Sequence, residues 1–574
     1  MPDDTVLLDT VIPRTLDAIV AEFLDPAWRG GRLEAWVFEG GAARRAAELA
    51  LQARGITACV RSAYKPLVHA LLDEIEAGPV VIGVPSHPLG PEGRFRLEAY
   101  PLAGLRGDVA FDGAGGELSY SVTSGPATTQ VFAPNRVRVD HLGRRVLAPC
   151  GWVRAWRAGD PAPARDAAVE TEYEAVFQAV MSAVAAHPWG DAMPTMDTLE
   201  IVVAILGIER ALAWHDEVMS TREALHEDLY FSLLEFFQHR AGRAAGDRTL
   251  RPGQIIPEIV ASDGPAHVRV TLAPHRVTPD VAADAGDLDI IERPLTAGEI
   301  ATALASLGGE GFAHRSVQGR AILGVHRRGA RPNIAIIAGQ HANETSGVVG
   351  ALRAARRLVA ETDMEFAVVP QDNPDGYALH HRLRARNPRH MHHAARYTAL
   401  GDDLESRTAP PFHEKAARME AIERTGARLH LNLHGYPAHE WTRPLTGYLP
   451  RGFEMWSIPK GFFLILRHRP GLGGAAEPFL RALTARLAED AALRDFNAAQ
   501  LRVWRAHAGA PNFPMFDGIP CMIAEREDQG TAFQLITEYP DETIYGDAFR
   551  LAHTTQMRTV LYAAELVRRG MLGT

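Results

Sequence analysis

Cysteine is scarce in this 574-residue chain, with only Cys59, Cys150 and Cys521. They lie far apart and form no metal-ligand spacing. That argues against a disulfide framework and favours a reducing compartment. No run approaches 18 apolar residues, so no membrane-crossing helix is expected. The N-terminal stretch, Met1-Pro2-Asp3-Asp4-Thr5-Val6, lacks a basic segment followed by an apolar one, and a secretory leader is not expected either. Positive charge is also in deficit: the formal net charge is −10, and no basic stripe of the kind a nucleic-acid binder carries is visible. These absences read as a cytoplasmic protein with neither nucleic-acid nor membrane partners.

Hydrophobic content of 46% and charged content of 23% are ordinary for a globular chain. The length exceeds what one core can serve and predicts two to four domains. Residues 1–160 carry short strand-like runs at 34–39, 80–84, 94–98, 117–122 and 136–140, interrupted by helical segments at 42–53 and 66–76; this reads as a β-rich domain. Pro161-Ala-Pro-Ala164 reads as a linker. Residues 165–290 then read as mainly helical, with a short β return at 253–259 and 267–272. Tyr173, Val176, Phe177, Val180, Met181 and Val184 share one helical face, and further helices are expected at 198–214 and 222–239. His215-Asp216-Glu217 and His226-Glu227-Asp228 contain ligand-type residues but read as a solvated face or packing partners. An acidic connector at 282–289 marks the next boundary.

From 291 to 574 helix and strand alternate, as in an α/β domain. Thr296 and Glu299 form the capping-box pattern at the start of a helix over 295–307. The chain is then organised around 333–344, Asn-Ile-Ala-Ile-Ile-Ala-Gly-Gln-His-Ala-Asn-Glu. Its Ile-rich run reads as a strand covered on both faces, and Gly339 ends it. His341 and Glu344 would stand at the strand end, where a further histidine would complete a hydrolytic zinc site with one position open. A helix over 345–359, a strand over 365–370 and a tight Asn-Pro-Asp-Gly turn at 373–376 follow.

Several motifs in order resemble the zinc carboxypeptidase family. Ser316-Val-Gln-Gly319-Arg320 looks like its opening turn, Gly339-Gln-His341-Ala-Asn-Glu344 like its zinc motif, Asn373-Pro-Asp-Gly-Tyr377 like its second turn, and Leu429-His-Leu-Asn-Leu-His434 like the strand bearing its third ligand. The resemblance covers about 294–574. It implies a mixed sheet flanked by helices and one zinc ion per chain on His341, Glu344 and His434. Two ligands from one strand end and a third from a neighbouring strand can converge on a tetrahedral ion.

The family also places a general-base glutamate on the strand before the last helix. Glu538 fits that place, and Glu525, in Gly518-Ile-Pro-Cys-Met-Ile-Ala-Glu525-Arg-Glu-Asp-Gln-Gly530, is a rival with one residue fewer before it. A carbonyl-polarising arginine is implied after the Asn-Pro-Asp-Gly turn. Arg386 and Arg389 match its spacing, with Arg384 beside them; His390, His392 and His393 are candidates to line the substrate site. Arg384, Asn373, Glu405 and Arg407 are the candidates for substrate contact.

One departure bears on substrate. Where the family has an Asp-Leu-Asn-Arg segment gripping a terminal carboxylate, this chain has Asp403-Leu404-Glu405-Ser406, with Arg407 displaced by one. A carboxylate at Glu405 would repel a free C-terminus. The reading is therefore a zinc-dependent hydrolase of a peptide or other amide bond that is not an ordinary C-terminal exopeptidase. A deacylase of N-acyl amino acids or small amides, and a non-catalytic zinc-binding module, are the alternatives. The partner is a peptide or small amide, and a homo-oligomer is allowed for, since the N-terminal half would either shape the cleft or form a subunit contact.

Overall fold

The computed structural model describes residues 4–90, 93–278, 281–449, 460–511, 513–527 and 530–573. Among these, nine strands form the mixed sheet of the C-terminal half, in the order Glu310–Arg315, Ala321–Arg327, Met364–Val369, Ala330–Ala338, Leu429–Tyr436, Phe533–Pro540, Phe463–His468, Ile519–Glu525 and Met515–Phe516. The three strands that matter most, Ala330–Ala338, Leu429–Tyr436 and Phe533–Pro540, run parallel side by side at its centre.

Parallel strands at a sheet centre are covered on both faces and read as continuous apolar runs. Ile334, Ile336 and Ala338 share a core with Val348, Val349 and Leu352 of the Ser346–Glu361 helix. Ile337, on the opposite face, clusters with Ala417 and Ala421 of the Lys415–Thr425 helix. The neighbouring strand divides its faces differently. Leu429, Leu431 and Leu433 enter the core, so the period of two sends His430, Asn432 and His434 together to the other face. The expected helix start at Thr296 is present: Glu299 N–H donates to its hydroxyl at 3.2 Å, and Thr296 N–H donates to the Glu299 carboxylate at 2.7 Å.

Several local expectations are corrected. The segment 198–214 opens with a strand, Thr198–Ile205, in which Leu199, Ile201, Val203 and Ile205 are buried on alternate positions. Its β-branched residues suit a pleat better than a helix. Arg94–Glu98 is a short helix, not a strand. Pro161–Ala164 lies in the connection between Gly151–Trp156 and Arg165–Val169, which pair antiparallel. The strand Thr5–Ile12 pairs with Ala266–Ala273 in the sheet that also holds Thr198–Ile205 and Gln254–Ala261. A boundary at 160–165 therefore cuts through paired strands, and the region 165–290 mixes strands with two long helices, Glu172–Ala186 and Thr221–Arg240. The Asn-Pro-Asp-Gly segment opens the helix Pro374–Arg384. Pro374 sits where a missing N–H costs nothing, and the Asn373 side chain accepts from Gly376 N–H at 3.0 Å.

The helix Thr221–Arg240 joins the halves. Its Glu223, Glu227, Asp228 and Glu235 are buried, so the run around His226 is not a solvated face. Arg443, from the C-terminal half, donates to Glu235 at 2.8 Å and to Ser232 Oγ at 2.9 Å. Asp228 accepts from the backbone N–H of Leu445 at 2.7 Å. Buried charges of this kind persist only when paired and hydrogen-bonded.

Candidate metal centre

The Ala330–Ala338 strand ends at Gly339, whose φ of +67° lies in the left-handed region. A Cβ there would come within 3.2 Å of Gln371 Cα. The turn carries His341 and Glu344 toward the face on which the parallel neighbour presents His434. His341 Nδ1 lies 2.8 Å from Glu344 Oε1, His434 Nδ1 lies 3.0 Å from Glu344 Oε2, and the two Nδ1 atoms are 3.1 Å apart. Among the described residues these three are the one group whose ligand atoms all lie within 4.8 Å of one another.

Two imidazoles and a carboxylate suit zinc in an open, three-ligand site. The surroundings fit as well. Asp403 Oδ2 stands 3.5 Å from His341 Nε2, the outer carboxylate that fixes the tautomer of a ligating histidine. Burial opposes charge on Glu344, yet His341, Arg396 and His434 together hold its carboxyl well below the usual range, so it is ready to ligate. His434 is pulled down, chiefly by burial, and is kept neutral as a ligand must be.

Residues 311–436 match the family model for zinc carboxypeptidase. That segment is similar to a zinc carboxypeptidase domain. The C-terminal half has a carboxypeptidase-like architecture, a mixed sheet flanked by helices. Among curated proteins none matches the chain. Similar solved structures include a metallo-carboxypeptidase from Burkholderia cenocepacia, at 15% identity over 54% of this chain and 77% of that one, with a TM-score of 0.30. Bovine thrombin-activatable fibrinolysis inhibitor, in complex with tick carboxypeptidase inhibitor, is similar at 10% identity over 49% of this chain and 99% of that one, with a TM-score of 0.31. No helix among the described residues is long and apolar enough to cross a membrane.

Within the C-terminal sheet the two candidate bases separate clearly. Glu538 is paired in register with His434 on the adjacent parallel strand, so the two side chains share a face. Burial, then the Glu344 carboxylate, push Glu538 well above the usual carboxylate range, and Asp541 and Glu542 add to the effect. Glu525 is exposed and sits opposite His468, which is itself level with Phe533. Five residues of strand separate Phe533 from Glu538, roughly 17 Å at the rise of an extended chain. Glu525 is therefore removed from the metal centre, and the motif that nominated it continues into Asp528 and Gln529, outside the described residues.

The arginine reading is also corrected. Arg386 is mostly exposed and pairs with Glu258 at 3.0 Å; Arg389, half-exposed, pairs with Asp216 at 2.9 Å. Arg384 lies over the Tyr545 ring at 5.8 Å. The guanidinium that reaches the centre is Arg396, which donates to Glu344 Oε1 at 2.5 Å and lies 3.6 Å from Glu542. Its only signal in the sequence was its position at the end of the histidine-rich run. His393, beside it in that run, has Nδ1 2.6 Å from Glu227 Oε2 and packs on Trp441.

Asn373 and Arg407 are structural. Asn373 caps its helix and donates to the Tyr397 carbonyl at 3.1 Å. Arg407 is fully buried between Asp402, at 2.6 Å, and Glu414, at 2.5 Å. Glu405 is not a bare carboxylate: Arg418 donates to it at 3.0 Å and Arg467 at 2.7 Å. Burial opposes its charge, but these guanidiniums bring its pKa down to about 2. Repulsion of a substrate carboxylate, argued from the sequence, is thus cancelled by two cations. What stands in the way is occupancy, since both arginines already hold an internal carboxylate.

Proposed function

We propose that the protein is a zinc-dependent hydrolase of a peptide or other amide bond, with one ion on His341, Glu344 and His434, and that it is not an ordinary C-terminal exopeptidase. The observation that carries the reading is the convergence of those three side chains beside Glu538. A zinc ion held there supplies Lewis-acid polarisation of a carbonyl and makes water a usable nucleophile near neutral pH. Glu538 takes the proton of the attacking water and hands it to the leaving amine, a role its place in register beside His434 allows. Arg396, held by Glu344 and Glu542, offers a fixed positive charge to the oxygen on which negative charge develops. A binding module that had lost its base would have no use for Glu538 at this place, so the catalytic reading leads.

The occupied Arg418–Glu405–Arg467 cluster supports a substrate read by something other than its terminal carboxylate. The test compares kcat/KM for zinc-loaded enzyme on peptide pairs that differ only in a free or amidated C-terminus. Ratios within about tenfold are expected, equivalent to about 1.4 kcal/mol. A preference for the free carboxylate beyond about a hundredfold would overturn the non-exopeptidase part, and no hydrolysis of any amide or peptide by zinc-loaded protein would overturn the whole.

A further inference from the structure

A cavity of about 350 Å³, apart from the metal centre, lies between the two halves of the chain. The strands Thr198–Ile205 and Gln254–Ala261 wall it on one side, and the helix Pro374–Arg384 walls it on the other. On its lining Gln254 Nε2 and His381 Nε2 are buried without a hydrogen-bond partner, while Arg320 Nε stands 3.5 Å from Asp375 Oδ1. Gln254 is 4% exposed and its own Oε1 accepts from Gln318 at 3.3 Å, so the amide nitrogen is the part left unmatched.

Burial draws the pKa of His381 down to about 4, so the ring is neutral. A neutral ring that donates through one nitrogen presents a lone pair on the other. The cavity therefore offers an unmatched amide donor and, in the tautomer protonated on Nδ1, an unmatched imidazole acceptor. Such groups cost stability until something satisfies them.

Charge of both signs stands nearby. Glu200 pairs with Arg382 at 3.0 Å, and Arg276 pairs with Asp4 at 2.5 Å. Arg276 is largely exposed, and a pair of this kind opens at little cost, whereas Arg382 is half-exposed and also holds Glu258 at 3.1 Å. A simple anion would satisfy Gln254 and leave the imidazole lone pair unmatched. A simple amine would do the reverse. The buried Ile256 and Leu379 supply apolar wall between the polar groups.

We propose that this cavity is a second ligand site that takes a free aliphatic α-amino acid, its carboxylate on the Gln254 amide and Arg276, its ammonium on His381 Nε2 and Glu200. The site is independent of the hydrolytic reading, which would survive its failure.

The test is calorimetric titration of the full-length protein with L-leucine, with 4-methylpentanoic acid, which lacks the amine, and with 3-methylbutylamine, which lacks the carboxylate. The same titrations are run on His434→Ala, in which the metal centre is blinded. Leucine is expected to bind at one per chain in both proteins, with each half-analogue at least tenfold weaker. Gln254→Leu and His381→Phe should each weaken leucine at least tenfold. Arg276→Ala, on the exposed rim, should do the same in a variant whose folding is not at stake. The proposal is overturned by the absence of saturable leucine binding, by half-analogues that bind as tightly as leucine, or by binding that disappears in His434→Ala and persists in the cavity variants.

Discussion

The molecule holds two buried centres rich in histidine and carboxylate, and they are built on opposite plans. At the metal centre two imidazole nitrogens and one carboxylate turn inward on a common point. Where the halves join, four imidazoles each meet a separate partner: His393 faces Glu227 at 2.6 Å, His439 faces Glu223 at 3.4 Å, His390 faces Glu209 at 3.0 Å, and His226 contacts the Pro257 carbonyl at 2.7 Å. Ligand-type residues are therefore more numerous at the joint than at the metal centre. What distinguishes the metal centre is convergence, which parallel strand ends enforce and a long helix packed on loops does not. One-to-one pairing makes the joint a device for holding the halves together, and three-to-one convergence makes the other a place for an ion.

The sharpest way to break this comparison is to delete one histidine from each centre. His434→Ala should abolish zinc binding, measured by mass spectrometry of the metal content, and reduce amide hydrolysis by about 10³-fold or more, whereas His393→Ala should keep its metal. Metal lost from both variants would make the joint part of the metal site. Next in size is the base. Glu538→Gln should keep zinc and lower kcat by about 10² to 10⁴-fold, while Glu525→Gln stays near wild type, read from steady-state rates on the same amide.

At the joint, Arg443→Met leaves Glu235 and Asp228 buried without their cation and should cost about 3–5 kcal/mol of stability, read from urea unfolding. Wild-type stability there would mean the pairing holds nothing together. The last test concerns pH. Burial pushes Glu227 up to about 8 from an ordinary value of 4.5. A folded-state pKa above the unfolded one contributes stability that is complete below the unfolded pKa and is lost as pH rises through the folded value. Glu227→Gln should therefore lose less thermal stability than wild type between about pH 5 and about pH 9, and parallel Tm curves would refute the assignment.

Legibility differed by the range of the interaction. His341 and Glu344 are three residues apart on one strand end, and the Leu-x-Leu-x-Leu alternation already placed His434 on the face opposite its core. Choosing between Glu538 and Glu525 needed strand order, because both stand on strands after comparable runs and only the sheet shows which strand adjoins the one bearing His434. Spacing along the chain nominated Arg386 and Arg389 and passed over Arg396. The fold turns the first two toward Glu258 and Asp216 and the last toward Glu344. Thr198–Ile205 was misread because its apolar residues fit a helical stripe as well as an alternating strand until its pairing partners are known.

By itself the sequence determined which residues can ligate, which runs are apolar enough to be covered, and where helices begin, since these follow from side-chain chemistry and from contacts within a few residues. Only the tertiary structure decided which base, which arginine and which carboxylates face the metal centre. It also decided that Glu405 is neutralised by Arg418 and Arg467 and that Arg407 is locked between Asp402 and Glu414. The physical reason is that charge interactions fall steeply with distance and depend on burial. The effective charge of each group is therefore set by neighbours that the chain brings from tens or hundreds of residues away.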